Sequence, residues 1–160
     1  MIYKDDYISN KNNTKGLFFI LIFRISSYLN SKKKYYLLWP FIMFLITIPY
    51  TLIIQWLMGI DIPLGTKIGK GFMLYHGMGV VVNKKSIIGD FVKIRHNVTI
   101  GNAKKNGNCP ILGSNIDIGA NTVIIGDITV GDNVNIGALT LVNKSIKSNN
   151  TVVGIPAKII

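Results

Sequence analysis

Residues 112–142 read LGSNID IGANTV IIGDIT VGDNVN IGALTL V, with an aliphatic residue at the first position of every group of six. The same spacing runs back to residue 62, and glycine often follows the aliphatic residue. The first positions are Ile62, Ile68, Leu74, Val80, Ile88, Ile94, Ile100, Leu112, Ile118, Ile124, Val130, Ile136 and Val142. A fixed short period of this kind indicates stacked repeating units, a solenoid.

The six-residue period predicts a triangular parallel β-helix. A strand that turns after six residues closes one coil with two further strands, and the first-position side chains then point inward. Successive coils pair as neighbouring strands about 4.8 Å apart. A β-sandwich, the alternative for many short strands, would alternate apolar and polar residues with period two. The sequence does not show that alternation.

Residues 1–60 lack the period and predict a helical segment in front of a β-helix that spans residues 61–160. Helices are expected at residues 17–28 and 35–60, where bulky apolar residues cluster. We expect this segment to serve packing, oligomer contact or contact with a membrane surface.

The net charge of +11 is spread along the chain. Residues 1–60 hold seven basic and two acidic residues, a balance of +5, which leaves +6 on the remainder. An even spread without a zinc-finger or RNA-binding motif argues against nucleic acid as a partner. An anionic ligand or a membrane surface suits this charge better. The single cysteine, Cys109, has no disulfide partner within the chain, which favours a reducing cytoplasm.

Two interruptions of the period mark candidate functional segments. The step from Val80 to Ile88 is eight residues, which predicts a two-residue insertion near residues 83–85. The step from Ile100 to Leu112 is twelve residues, and the polar residues between them predict a loop at 102–110 that leaves the coil. Loops that interrupt a solenoid are where ligand contacts concentrate.

His76 and His96, the two histidines of the chain, each lie two residues after a first position. Their separation of twenty residues predicts side chains stacked on adjacent coils, about 4.8 Å apart. An accessible imidazole beside a loop is a candidate general base; the alternative is a surface or hydrogen-bonded histidine at a corner. A zinc site shared between subunits needs three histidines, so two per chain leave it one ligand short unless Cys109 served, and no metal site is predicted.

Four strings carry a resemblance to a known family: GIDIP at 59–63, IGKGFMLYHG at 68–77, IRHNVTIG at 94–101 and GIPAK at 154–158. From residue 59 onward the chain resembles the serine acetyltransferase branch of the left-handed β-helix, or hexapeptide-repeat, acyltransferases. Within that branch it is most similar to the colanic acid biosynthesis acetyltransferases, which share His76-Gly77, Ile94-Arg95-His96 and Cys109-Pro110. The resemblance implies a left-handed coil, acetyl-CoA as the donor co-substrate and a homotrimer.

The resemblance also implies catalytic roles. The residue that matches His76 removes the proton of the acceptor hydroxyl, and the one that matches Asp61 orients the imidazole. A backbone N–H near Gly77 or near Thr99 and Gly101 is a candidate oxyanion donor. The pantetheine arm is expected along small residues between subunits, at Gly119, Ala120, Gly137 and Ala138, and the CoA phosphates near Lys144 and Lys158.

The departures from the serine acetyltransferase pattern concern the acceptor. Tyr75, Asn108 and Cys109 stand where that family has an acidic residue and an Arg-His pair that hold the amino acid's charges, so L-serine is a poor fit. The resemblance therefore favours a saccharide hydroxyl in capsule, exopolysaccharide or O-antigen synthesis. His96 and Arg95 are further candidate substrate-binding residues. Serine acetylation and a non-catalytic scaffold stay as alternatives.

Three placements are considered for residues 35–60: across a membrane, on its surface, or packed against protein. The stretch carries no charge, follows Lys32, Lys33 and Lys34, and is long enough to span a bilayer. A single span would place the β-helix on the side without acetyl-CoA, and Pro40 and Pro49 are expected to break the helix. Packing on the solenoid or on neighbouring subunits, or contact with the inner face of the cytoplasmic membrane, fits better. The polar residues 1–16 argue against a signal peptide.

Overall fold

The computed structural model describes residues 3–31 and 39–160. These residues form three α-helices, a π-helical segment and fifteen short strands. The helices are α1 (Lys4–Asn10), α2 (Thr14–Ser31) and α3 (Trp39–Tyr50), followed by the π-helical segment Thr51–Leu57. The strands are β1 (Ile60–Asp61), β2 (Lys67–Ile68), β3 (Met73–Leu74), β4 (Val80–Val82), β5 (Ile87–Ile88), β6 (Lys93–Ile94), β7 (Thr99–Gly101), β8 (Ile111–Leu112), β9 (Asp117–Ile118), β10 (Val123–Ile125), β11 (Thr129–Val130), β12 (Asn135–Ile136), β13 (Leu141–Val142), β14 (Thr151–Val153) and β15 (Lys158–Ile159).

The strands build the three faces of a triangular prism. Sheet A has the order β1-β4-β7-β10-β13, sheet B the order β2-β5-β8-β11, and sheet C the order β3-β6-β9-β12-β14-β15. Every pairing is parallel except that of β14 with β15. The chain turns from one sheet to the next at three edges, which we call the A–B, B–C and C–A edges. The parallel β-helix predicted from the period is confirmed.

The core is a column of aliphatic side chains inside the prism. First-position residues such as Ile94, Ile118 and Ile124 are completely buried. The residues four positions later, Val98 and Thr122 among them, are equally buried and fill the corners. Burial of each isoleucine side chain contributes about 1.5–3 kcal/mol to the free energy of folding. The fold is therefore stabilised by the same small contribution repeated on every coil.

The structure corrects the position of the two-residue insertion. Leu74 pairs with Ile94, and Val82 pairs with Ile100. Between these two pairs, residues 75–81 of the earlier coil lie opposite only residues 95–99 of the later coil. The two additional residues are therefore in the turn that follows β3, at the C–A edge.

The predicted insertion near residues 83–85 was wrong because the apolar pattern fits two registers. Val80 and Val82 are both buried, so either one satisfies the six-residue spacing. Hydrogen-bond register settles the choice: Val82, and not Val80, takes the first position. Residues 102–110 do leave the coil, since Ile88 pairs with Leu112, 24 residues later, where regular coils pair 18 residues apart, as Ile111 does with Thr129.

The N-terminal helices cover the open end of the prism. Some backbone carbonyls of the first coil, such as that of Phe72, point toward this end. The N–H of the same peptide unit points the other way and donates to the second coil, as the N–H of Met73 does to the carbonyl of Val92. Arg24 donates to the carbonyl of Ile68 at 2.7 Å and Asn10 to that of Phe72 at 2.8 Å. Exposed strand edges would otherwise template aggregation, so the helices satisfy and shield this edge.

The helical predictions are corrected in detail. Helix α1 lies outside the predicted helices, and α2 is longer than the predicted 17–28. Pro49 lies inside α3, and the chain continues as a π-helix, so the predicted break at this proline is not observed. The predicted helix 35–60 also ends too late, because Ile60 belongs to β1. The side chain of Pro40, and residues 32–38 with the three lysines, lie outside the described residues.

Helices and β-helix share one hydrophobic core, in which Phe19 of α2 contacts Phe72 of the first coil. The division into separate units at residue 60 stays a prediction. Among the described residues, no helix has both the length and the apolar character needed to cross a membrane.

Candidate functional site

An open pocket of about 590 Å³ lies at the C–A edge, where the helices meet the first two coils. Both histidines face it. Its lining consists of Lys15, Gly16, Leu57, Met58, Ile60, Leu74, His76, Gly77, Met78, His96 and Asn97. This volume is in the range of small-molecule sites, roughly 300–1,000 Å³.

His76 owes its position to the two-residue insertion. It adopts φ 55°, in the left-handed region, where histidine, like asparagine, occurs more often than most residues other than glycine. The side chain is exposed, whereas that of His96 is half-buried. An exposed imidazole at the mouth of a partly apolar pocket can accept a proton from a bound hydroxyl.

The predicted stacking of His76 on His96 is wrong, although both line the pocket. The N–H of Asn97 donates to the carbonyl of Met78 at 2.9 Å, as the N–H of Asn121 donates to the carbonyl of His96 at 3.1 Å. Met78 therefore occupies the position next to His96 in the coil below. The insertion displaces His76 out of this column.

The carboxylate of Asp61 is hydrogen-bonded to a glutamine and not to His76. Asp61 lies on β1, and its carboxylate accepts a hydrogen bond from Gln55 at 3.1 Å. Burial, and to a lesser extent the charge of Asp61, raises the pKa of Tyr50. Within residues 3–31 and 39–160, no hydrogen bond or ion pair joins Asp61 to either histidine.

Four of the candidate cofactor residues follow His96 along the C–A edge. These are Gly119, Ala120, Gly137 and Ala138. A Cβ on Gly119 would lie 2.3 Å from the backbone nitrogen of Ala138, closer than any side chain tolerates. Close approach of successive coils therefore explains this glycine without a ligand.

Asn108, Cys109 and Lys144 lie at the A–B edge, away from the histidines of the same chain. Asn108 donates to the carboxylate of Asp127 at 2.9 Å, and Cys109 is buried. Lys144 is exposed beside β13. The loop at 102–110 therefore faces a different edge of the prism from the pocket.

The remaining candidates are held within the chain or lie elsewhere. Arg95 donates to the carboxylate of Asp117 and to the carbonyl of Ile118, and Tyr75 is half-buried with its hydroxyl 3.6 Å from the sulfur of Met73. The last three are Thr99 and Gly101 on β7 and Lys158 on β15. Among the described residues, no group of three His, Cys, Asp or Glu side chains could hold a metal ion.

Sequence reasoning missed the helical side of the pocket, above all Lys15 and Leu57. Asn13 is a recognisable helix N-cap residue, since its side chain accepts from the N–H of Gly16 at 3.0 Å. That signal locates the start of a helix. It does not tell which part of the β-helix the helix start will contact, because the contact is non-local.

Comparison with known sequences finds acetyltransferases. The chain is 40% identical over 111 residues to the putative colanic acid biosynthesis acetyltransferase WcaB of Escherichia coli K12, covering 69% of this chain and 68% of that protein. It is 35% identical over 147 residues to a serine acetyltransferase of Helicobacter pylori J99, covering 91% and 81%. A serine acetyltransferase of Synechococcus elongatus is 40% identical over 106 residues, 65% of this chain, but the chain spans only 43% of its length. No protein-family model matches the chain.

Solved structures give the same result. The soybean serine acetyltransferase apoenzyme superposes with a TM-score of 0.80 at 28% identity, covering 98% of this chain and 66% of that one. A serine acetyltransferase in complex with cysteine superposes with a TM-score of 0.75 at 30% identity, and the chain spans 58% of its length. The predicted left-handed β-helix with an α-helical N-terminal segment is thereby confirmed.

Proposed function

Since the chain belongs to the hexapeptide-repeat acetyltransferases, in the branch that contains the serine acetyltransferases and the colanic acid biosynthesis acetyltransferases, we propose that it transfers the acetyl group of acetyl-CoA to a saccharide hydroxyl. The observation that carries this choice of acceptor is the lining of the pocket around His76, to which residues 3–31 and 39–160 contribute no carboxylate. The ammonium group of an amino acid would find no charged partner there, whereas a sugar presents neutral hydroxyls and apolar C–H faces.

In the proposed mechanism His76 acts as the general base. The imidazole takes the proton of the acceptor hydroxyl while the oxygen attacks the thioester carbonyl carbon of acetyl-CoA. The tetrahedral intermediate then expels the CoA thiolate, which recovers the proton from the imidazolium. The products are the O-acetyl sugar and CoA, and no covalent enzyme intermediate forms.

Gly77 is the better-placed candidate for the oxyanion donor. Its backbone N–H adjoins His76 at the pocket and has no hydrogen-bond partner within the described chain, whereas the N–H of Thr99 donates to Thr122 at 2.9 Å. A free donor directed at the developing negative charge lowers the barrier. To orient His76, the carboxylate of Asp61 must release the hydrogen bond from Gln55 and accept one from the imidazole when substrates bind.

The positions of the edges support a homotrimer. The histidines and the row of small residues occupy the C–A edge, while the 102–110 loop and Lys144 occupy the A–B edge. A site that uses both sets of residues therefore has to form between neighbouring copies. We place acetyl-CoA in this intersubunit groove, with Lys144 and Lys158 as candidate phosphate contacts.

Peripheral membrane contact is part of the proposal. The helical segment exposes an apolar face, with Phe44, Leu52, Trp56 and Leu57 all more than half accessible. No aspartate or glutamate occurs between Asp6 and Asp61. An apolar face free of negative charge suits an anionic lipid surface. We place the reaction in the cytoplasm, at the inner face of the membrane, where a lipid-linked acceptor would be presented.

Serine is the second candidate acceptor because most of the relatives are named serine acetyltransferases. The test is thiol release from acetyl-CoA with a panel of monosaccharides and with L-serine. We expect turnover with a sugar to exceed turnover with serine. Comparable turnover with serine would contradict the saccharide assignment.

His76→Gln keeps a polar side chain of similar size without a base. We expect it to lower kcat by about 10²–10⁴-fold while acetyl-CoA binding, measured by calorimetry, is retained. Lys147→Gln, an exposed change on the B–C edge away from both the pocket and the proposed acetyl-CoA groove, is the control and should behave like the wild type. Retained turnover in His76→Gln would remove His76 from the mechanism.

A further inference from the structure

The pocket holds a cation that the proposed reaction does not use. We infer that Lys15 forms a subsite for an anionic oxygen group, phosphate or carboxylate, carried by the acceptor next to the hydroxyl that is acetylated. The inference rests on the proposed function for the identity of the acceptor, and it narrows that acceptor from any saccharide to a negatively charged one.

The position of Lys15 relative to His76 is fixed by Asn13. The Asn13 side chain donates to the carbonyl of Leu74 at 2.9 Å and accepts from the N–H of Gly16 at 3.0 Å. These bonds attach the start of α2 to the strand that ends two residues before His76. Lys15, between the N-cap Asn13 and Gly16, is thereby held at the rim of the histidine pocket.

Gly16 keeps this contact close. A Cβ at residue 16 would lie 2.3 Å from the side-chain nitrogen of Asn13 and 2.7 Å from the side-chain oxygen of Asn10. Both asparagines anchor helices to first-coil carbonyls. A side chain at residue 16 would therefore displace the two amides that hold the start of α2 against the first coil.

Lys15 has no acidic partner in the described part of the chain. Two other lysines do: Lys70 lies 3.6 Å from Asp5, and Lys93 lies 4.0 Å from Asp117. The described residues that line the pocket offer Lys15 two imidazoles and an amide but no carboxylate. An exposed lysine at a carboxylate-free pocket is available to a ligand.

The apolar part of the pocket strengthens the attraction between Lys15 and an anionic group. Leu57, Met58, Ile60, Leu74 and Met78 line the same space. A charge pair formed beside apolar walls is screened less than one in open water. An acceptor that contacts His76 through its hydroxyl can reach Lys15 through its anionic group because both residues border one pocket of about 590 Å³.

The kinetic test compares glucose, glucose 1-phosphate and glucuronate as acceptors, so that the neutral, phosphate and carboxylate arms are separate. The variant is Lys15→Gln, and the control is Lys11→Gln, an exposed lysine outside the pocket. We expect the wild type to prefer one anionic sugar over glucose, and Lys15→Gln to lower that ratio of kcat/KM about tenfold, the usual worth of a charge-assisted hydrogen bond. The change should appear in the KM of the acceptor.

Three kinetic results would overturn the inference. The first is a wild-type kcat/KM for glucose as high as that for either anionic sugar. The second is a ratio of kcat/KM for anionic sugar to glucose that Lys15→Gln leaves unchanged. The third is an effect of Lys15→Gln confined to the KM of acetyl-CoA, which would assign Lys15 to the CoA phosphates. Lys11→Gln should keep the wild-type ratio.

A binding test separates this inference from the proposed function. The imidazole signals of His76 and His96 are followed by NMR while inorganic phosphate is titrated at constant pH. We expect phosphate to shift the His76 and His96 signals in the wild type and in Lys11→Gln but not in Lys15→Gln. Signals that phosphate leaves unshifted, or shifts equally in Lys15→Gln, contradict the anion subsite even if sugars are acetylated. Lys15-dependent shifts without acetylation of any sugar would support the subsite and contradict the proposed function.

Discussion

Tyr50 joins the helical segment to the first coil through one hydrogen bond. Its hydroxyl donates to the carbonyl of Ile62 at 2.6 Å, and its side chain is 3% exposed. Burial, and secondarily the charge of Asp61, raises its pKa. Tyr50 therefore stays neutral as a donor where an exposed tyrosine would ionise.

Tyr50→Phe should lower the free energy of unfolding by about 1 kcal/mol at neutral pH, since the carbonyl of Ile62 loses its partner. Because the pKa of Tyr50 is raised by folding, its contribution is complete below the ordinary tyrosine value of about 10 and declines at higher pH. The variant should then lose less stability than the wild type above that pH. Denaturant unfolding as a function of pH measures both effects, and parallel curves would contradict the assignment.

Single residues also show where sequence reasoning reaches its limit. The period correctly located first-position residues such as Ile94, which are buried. It could not choose between Val80 and Val82, because both are buried and only the hydrogen-bond register distinguishes them. The sequence predicted that His76 stacks on His96; the structure instead places Met78 next to His96, while both histidines line one pocket. Lys15 was missed because its position depends on a contact between Asn13 and Leu74, 61 residues apart.

At the scale of elements, α1 and α2 supply hydrogen-bond partners for the backbone of the first coil. Arg24 on α2 pairs with buried Asp6 on α1 at 3.0 Å, and both also bond backbone groups of the first coil. Removal of one partner of such a buried pair costs about 3–5 kcal/mol. The helical segment therefore acts as a cap on the solenoid, a role with no periodic signal in the sequence.

The exposed face of α3 and the π-helical segment carries the membrane prediction. Phe44 is 60% and Trp56 80% exposed. We expect the protein to co-sediment with phosphatidylglycerol vesicles, with binding weakened by salt. The combined change Phe44→Ser and Trp56→Ser should reduce binding at least about tenfold, since each buried aromatic contributes about 1.5–3 kcal/mol.

Tyr7→Ser, a change at an exposed aromatic residue of α1, is the matched control and should bind vesicles like the wild type. Equal binding of the double variant would contradict the lipid assignment. Loss of oligomer in the double variant, measured by sedimentation without vesicles, would show instead that a second copy covers this face.

At the scale of the whole molecule, two edges of the prism carry different parts of the candidate site. The C–A edge carries the two histidines and the row of small residues from Gly119 to Ala138, and the A–B edge carries the loop with Asn108. The sheets were predictable since each repeat position specifies burial in the same way on every coil. The pocket was not, because its other wall comes from helices whose packing follows no repeat.

The central claim is acetylation of a saccharide, and cells test it most directly. Surface polysaccharide is compared by mass spectrometry from cells with the wild-type protein, without it, and with His76→Gln. We expect one sugar component to lose the mass of an acetyl group in both altered strains and to regain it when the wild type is restored. A polysaccharide with unchanged acetylation in both strains would contradict the proposed function.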